Sequence, residues 1–174
     1  MTSWRPDFSP ESLYFITTST YNHKEIFSDT VTKQILLDHF DCLRRNSNFF
    51  LYSFVLMPTH IHFISKFENP LSLGDFMRNF KSLSANRIRR FLRATQSNGF
   101  DQRGKVWEDD YNAKEIFTHP FLLQKFEYIH QNPCKSPWIL VENPENYPWS
   151  SARFYLSDQP CIIPIDDLRE YFLK

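Results

Sequence analysis

The chain has 174 residues, 41% hydrophobic and 17% aromatic, including 18 phenylalanines, a composition that excludes disorder because burial can offset the entropy of ordering. No run approaches the ~20 apolar residues that span a bilayer, and Cys42, Cys134 and Cys161 are too scattered for a disulfide framework or a zinc knuckle. The formal net charge of zero weighs, taken alone, against a polyanionic partner.

In chain order, SLYFITTSTYN (Ser12 to Asn22) is aromatic and β-branched and reads as a strand. Ser28-Asp29 then opens an amphipathic helix with Val31, Ile35, Leu36, His39, Phe40 and Leu43 at helical spacing. NFFLYSFVLM and HIHFISKF are two further strands, and only Pro58-Thr59 separates them, which predicts an antiparallel pair. A second helix is expected from Leu71 to about Arg93, with Leu73, Phe76, Met77, Phe80, Leu83, Ile88 and Phe91 on one arc. SNGFDQRG is a loop, and VWEDDYNAKEIF holds a strand bent at Asn112. His119-Pro120 opens a third helix, proline suiting its first turn, and Pro133 ends it. An irregular, proline-rich extension follows from about residue 134, through SSARFYL and IDDLREYF. The order β-α-β-β-α-β plus helix predicts an α+β fold: a ferredoxin-like antiparallel sheet with helices on one face and a further C-terminal helix. Residues 1–174 are expected to form one domain. MTSWRPDFSP has no leader pattern, so a cytoplasmic protein without membrane contact is expected.

The charge is unevenly placed. From Phe76 to Lys105, eight cations (Arg78, Lys81, Arg87, Arg89, Arg90, Arg93, Arg103 and Lys105) face Asp101 alone, a local +7 in a neutral chain. On a helical wheel Arg78, Arg89 and Arg93 lie opposite the apolar arc, with Lys81 and Arg90 at its flanks, as a phosphate-binding face requires. A solvated face gives the same pattern. Arg87 falls inside the arc, either as a buried ion-pair partner or aimed into a cleft.

Side chains alternate along a strand, so His60 and His62 share a face about 7 Å apart while Ile61 and Phe63 point the other way. Two neutral imidazoles so placed can bind one divalent metal, or can simply be hydrogen-bonded and inert. In LLQKFEYIHQNP, Leu122, Phe126 and Ile129 form the core stripe, and Tyr128 and Asn132 lie one turn apart on another face.

Four segments in order, FVLMPTHIHFI, VWEDDY, YIHQNP and NYPWSSARFY, resemble the HUH single-strand DNA transposases with one catalytic tyrosine. Within them the resemblance is closest to the REP-associated tyrosine transposase (RAYT) branch of the IS200-like transposases. It implies that His60 and His62 are metal ligands, that Tyr128 is the nucleophile, and that Asn132 completes the metal site. Lys81, within FMRNFKS, matches a basic position near DNA, joining Arg78, Arg89 and Arg93 as candidate DNA contacts. It further implies Mg²⁺ or Mn²⁺ as cofactor and single-stranded or hairpin DNA, such as REP-like repeats, as partner; monomer and homodimer both remain open. The implied activity is endonuclease and strand transfer through a covalent 5′-phosphotyrosine and a free 3′-hydroxyl.

Local geometry leaves a second candidate for the third ligand. Asn132 precedes Pro133, and a residue before proline is pushed out of the α region, whereas Gln131 stays within the helix; Asn132 is preferred. Glu108 to Asp110 would repel DNA or assist the metal. The alternative function is a ferredoxin-like module that binds single strands without cutting them, with Tyr52 and Phe54 stacking bases.

Overall fold

The computed structural model describes residues 9, 12–69, 71–95 and 104–171. Most of the expected SNGFDQRG loop, with Asp101 and Arg103, lies outside the described residues.

Four strands, β1 (Leu13–Ser19), β2 (Phe49–Met57), β3 (His60–Phe67) and β4 (Asn112–Glu115), form one sheet in the order β2-β3-β1-β4. Every pairing is antiparallel. Helix α1 (Thr30–Asn46) links β1 to β2, and α2 (Leu73–Ala94) links β3 to β4, which is the ferredoxin-like βαββαβ order. Asp29 caps α1 by accepting the Val31 and Thr32 N–H groups, and Ser72 caps α2 by accepting that of Asp75.

Strand alternation sorts the core into two layers. Tyr14, Ile16, Leu51, Phe54, Ile61 and Phe63 point to one face and meet Leu36, Phe40, Phe76 and Phe80 of α1 and α2. Leu13, Phe15, Val55, Met57 and Ile64 point to the other, where Leu122 and Ile129 of α3 (His119–Gln131) cover them. The aromatic composition resides here. Phe27, Phe40, Phe54, Phe63, Phe67, Phe76 and Phe80 are all fully buried, and each contributes about 1.5–3 kcal/mol on burial. Two apolar residues of the predicted arcs, Val31 and Leu83, instead face outward, 45% and 48% exposed.

The strand expected in VWEDDYNAKEIF is shorter than its sequence suggests. Only Asn112–Glu115 is ladder, and Trp107 makes an isolated bridge to Thr20. The reason lies on α2: the Lys81 ammonium takes the carbonyls of Glu108, Asp109 and Asp110 at 2.9, 3.2 and 2.7 Å. Carbonyls gathered onto one cation are no longer set out for a strand neighbour. The buried Trp107 indole donates to Ser84 Oγ at 2.9 Å and ties the same segment to α2. Beyond α3 the chain runs through irregular backbone to α4 (Ala152–Ser157) and α5 (Leu168–Tyr171).

Candidate active site

His60 and His62 both project from β3 onto the α3 side of the sheet, their ring centroids 4.6 Å apart. A threonine holds Nδ1 of each: Thr17 Oγ1 is 2.7 Å from His62 Nδ1, and Thr59 Oγ1 is 3.0 Å from His60 Nδ1. Thr17 is the direct partner of His62 in the β1–β3 register. A hydroxyl on Nδ1 sets the ring orientation and leaves Nε2 for another ligand. Nε2 of His62 is buried and has no hydrogen-bond partner.

Burial lowers the His60 pKa from 6.5 to about 4, opposed by a side-chain hydrogen bond with Asn132 and assisted by His23. It lowers His62 further, to about 3, with the charges of His60 and Lys125 adding to the effect. Both imidazoles are therefore neutral near pH 7, the form that coordinates a metal.

Helix α3 brings Tyr128 to this pair. Its ring stands edge-on to His62 at 5.1 Å and to Phe15 at 6.0 Å, while Phe15 stacks on His62 at 5.5 Å. Tyr128 is 40% exposed, in contrast to the buried Leu122 and Ile129 of the same helix. Its ring is thus fixed from one side and open to solvent on the other.

Asn132 lies one turn on, and here the proline argument fails. The residue keeps helical angles (φ −55°, ψ −45°), because its N–H bonds to the Ile129 carbonyl and a 3₁₀ turn over Asn132–Cys134 continues the helical path. From that position its amide reaches His60. Gln131 makes no side-chain hydrogen bond among the described residues. No three His, Cys, Asp or Glu side chains among the described residues are placed to hold a metal, so the donors gathered here are two imidazoles and an amide.

His130 anchors α3. It is buried, with its Nε2 2.8 Å from Ser151 Oγ and 3.3 Å from Ser53 Oγ. Ser151 Oγ also accepts the Phe54 N–H at 2.9 Å. The histidine of YIHQNP and the second serine of NYPWSSARFY therefore meet on β2, and together they set where Tyr128 stands. Burial pushes His130 down to about 4, so it too is neutral.

The candidate DNA contacts lie elsewhere, on α2 across the sheet. Arg78 and Arg89, with Lys105, Trp107 and Tyr111, line a groove of about 420 Å³ between α2 and residues 104–111. Arg89 and Arg93 line a second hollow further along the helix. Arg78 pairs with Asp75 at 2.9 Å on the surface, and Lys81 is engaged by the three carbonyls. Arg87 takes neither expected role: it is exposed, at the α1–α2 seam beside Ile35 and Asp38. Glu108 accepts the Asn22 N–H at 2.8 Å, and Asp109 pairs with Lys105 at 2.6 Å.

Tyr52 and Phe54 are buried, 6% and 0% exposed, so neither offers a face to a base. The stacking platform of the alternative reading is absent at those positions. Thr17, Phe15, Lys125 and the His130–Ser151 lock were not singled out from the sequence. Thr17 is one of three successive polar residues ending β1, Thr17, Thr18 and Ser19, and only its pairing with His62 marks it out.

The fold is α+β, with Tyr128 beside a pair of neutral histidines. The family model for IS200-like transposases matches residues 10–132, from just before β1 to Asn132, and the chain belongs to that family. Among solved structures, one of a REP-associated tyrosine transposase bound to a REP hairpin has 19% identity and a TM-score of 0.64, covering 95% of this chain and 93% of that one. A second, from Deinococcus radiodurans R1 and described as a transposase, has 19% identity and a TM-score of 0.50, covering 74% and 95%. At such identities the likeness is one of fold. No curated protein matches the sequence.

Proposed function

We propose that the protein is a metal-dependent tyrosine transposase of single-stranded or hairpin DNA, with Tyr128 as nucleophile and His60, His62 and Asn132 as ligands of Mg²⁺ or Mn²⁺. One observation carries this reading: the buried, unpartnered Nε2 of His62 belongs to a neutral ring packed edge-on against Tyr128 at 5.1 Å. The neighbouring His60 and its Asn132 partner complete a neutral nitrogen and oxygen donor set, which suits a divalent ion. When bound, such an ion polarises a phosphate oxygen and orients the reacting group.

The chain's own residues do the rest. Tyr128 Oη attacks phosphorus, forming the Tyr–O–P bond as the P–O3′ bond breaks; the phenol proton passes to water, and the departing 3′ oxygen takes one up. Two transesterifications replace one difficult hydrolysis, and the bond energy stays in the phosphotyrosine link. Phe15 and His62 hold the tyrosine ring, and the His130–Ser151 contact fixes the helix beneath it. Arg78, Arg89 and Arg93 supply sequence-independent phosphate affinity. Hairpin DNA is proposed as substrate because the solved neighbour is described as bound to a REP hairpin.

The test is incubation of end-labelled hairpin DNA with the protein and Mn²⁺, followed by a denaturing gel. A covalent protein–DNA band that disappears in Tyr128→Phe supports the reading. Cleavage with no covalent band would indicate a hydrolase, and binding without cleavage a binding module; either overturns it.

A further inference from the structure

Lys125 sets an ammonium over the Tyr128 ring. Lys125 precedes Tyr128 by three residues, so the two side chains share a face of α3. Its Nζ lies 5.1 Å from the Phe15 ring centroid, 5.2 Å from that of Phe121 and 5.6 Å from that of Tyr128. Phe15 in turn stacks on His62, so ammonium, phenol and imidazole sit around one aromatic cluster.

Among the described residues Lys125 makes no ion pair with a carboxylate. Lys114, which pairs with Phe15 in the β1–β4 register, is the charge that acts on it. Desolvation against the rings, and then the Lys114 charge, pull its pKa below the ordinary lysine value. Two like charges act on one another here, one of them packed on aromatic faces, and among the described residues neither is ion-paired with a carboxylate. The rings also hold the flexible side chain in place, so less of its freedom is lost on meeting an anion.

We infer that Lys125, with Lys114 beside it, holds a backbone phosphate of the DNA strand presented to Tyr128. The inference rests on the tyrosine-transfer reading for the identity of the polyanion; the contact itself is a matter of charge and place. Because Lys125 is packed against the Tyr128 ring, any phosphate it holds lies beside that ring.

The test uses the Tyr128→Phe protein in chelator, so that neither cleavage nor a metal contributes. Binding of a fluorescent oligothymidylate of roughly 20 nucleotides is followed by anisotropy as salt rises, and Lys125→Met should lower the logarithmic salt slope by about 0.7, one lost contact on a single strand. Lys125→Arg, which keeps the charge, should restore the slope. A slope unchanged in Lys125→Met, or one lowered equally in both variants, overturns the inference; the second pattern would assign Lys125 to packing alone. Adduct formation by the parent protein separates the two claims. A parent that forms no adduct while Lys125→Met still lowers the slope refutes the transfer reading and not the contact. An adduct-forming parent whose slope ignores Lys125→Met refutes the contact alone.

Discussion

Replacing Thr17 by valine removes one hydroxyl from the site and keeps the branched shape of the side chain. His62 would then be buried with both ring nitrogens unpartnered, since Nε2 already has no partner and Nδ1 depends on Thr17 at 2.7 Å. A buried polar group left unsatisfied costs about 1–3 kcal/mol, which in a chain of this size lowers Tm by roughly 2–12 °C. The effect on metal binding should be of similar size. Partners that orient a metal-binding imidazole are worth about 10- to 100-fold in affinity, or roughly 1.4–2.7 kcal/mol. Calorimetric titration with Mn²⁺ near neutral pH measures this directly, because in the parent His62, with a pKa of about 3, is neutral there. Thr17→Ser, which keeps the hydroxyl, should bind close to the parent. If Thr17→Val bound Mn²⁺ as tightly as the parent while unfolding as cooperatively, the threonine would have no part in a metal site.

Asn132→Ala should lose about 10- to 100-fold in Mn²⁺ affinity with Gln131→Ala near the parent; the reverse pattern in the same titration would reassign the ligand to Gln131. Replacing Arg78, Arg89 and Arg93 together should weaken all single-stranded sequences alike and flatten the salt dependence by about 0.7 per lost contact, and an unchanged slope would make this a merely solvated face. His39 tests the electrostatics of the core. It is buried on α1, stacked on Phe80 at 6.2 Å, with Nε2 unpartnered. Burial, then Arg87, keep its pKa below 6.5, so the fold favours the neutral ring. That contribution is complete above the unfolded value and is lost as pH falls from there through the lowered folded value. Urea unfolding across this range should show a shallower acid loss in His39→Leu, and an unchanged acid limb would refute the assignment.

Local periodicity made much of the fold legible. A two-residue repeat placed His60 and His62 on one face, and the stripe Leu122, Phe126, Ile129 left Tyr128 off the core. Both are properties of one element at a time. What escaped depends on contacts between elements distant in sequence. Lys81 gathers carbonyls 27 to 29 residues away and so cuts β4 short. A register shift between Leu51 and Ser53 puts Tyr52 and Ser53 on the α3 side, where Tyr52 is buried and Ser53 reaches His130. Asn132 stayed helical against the proline rule because a 3₁₀ turn carries the chain on. Thr17 became visible only once β1 was known to pair with β3.

In the proposed reaction Tyr128 becomes covalently attached to DNA. Trypsin digestion of the protein after reaction with hairpin DNA and Mn²⁺, followed by nuclease trimming and mass spectrometry, tests it directly. Cleavage after Lys125 and Lys135 releases FEYIHQNPCK, in which Tyr128 is the only tyrosine. A 5′-linked nucleotide is expected on that peptide and none on any other. A nucleotide on a different tyrosine, or a 3′-linked one on Tyr128, would contradict it.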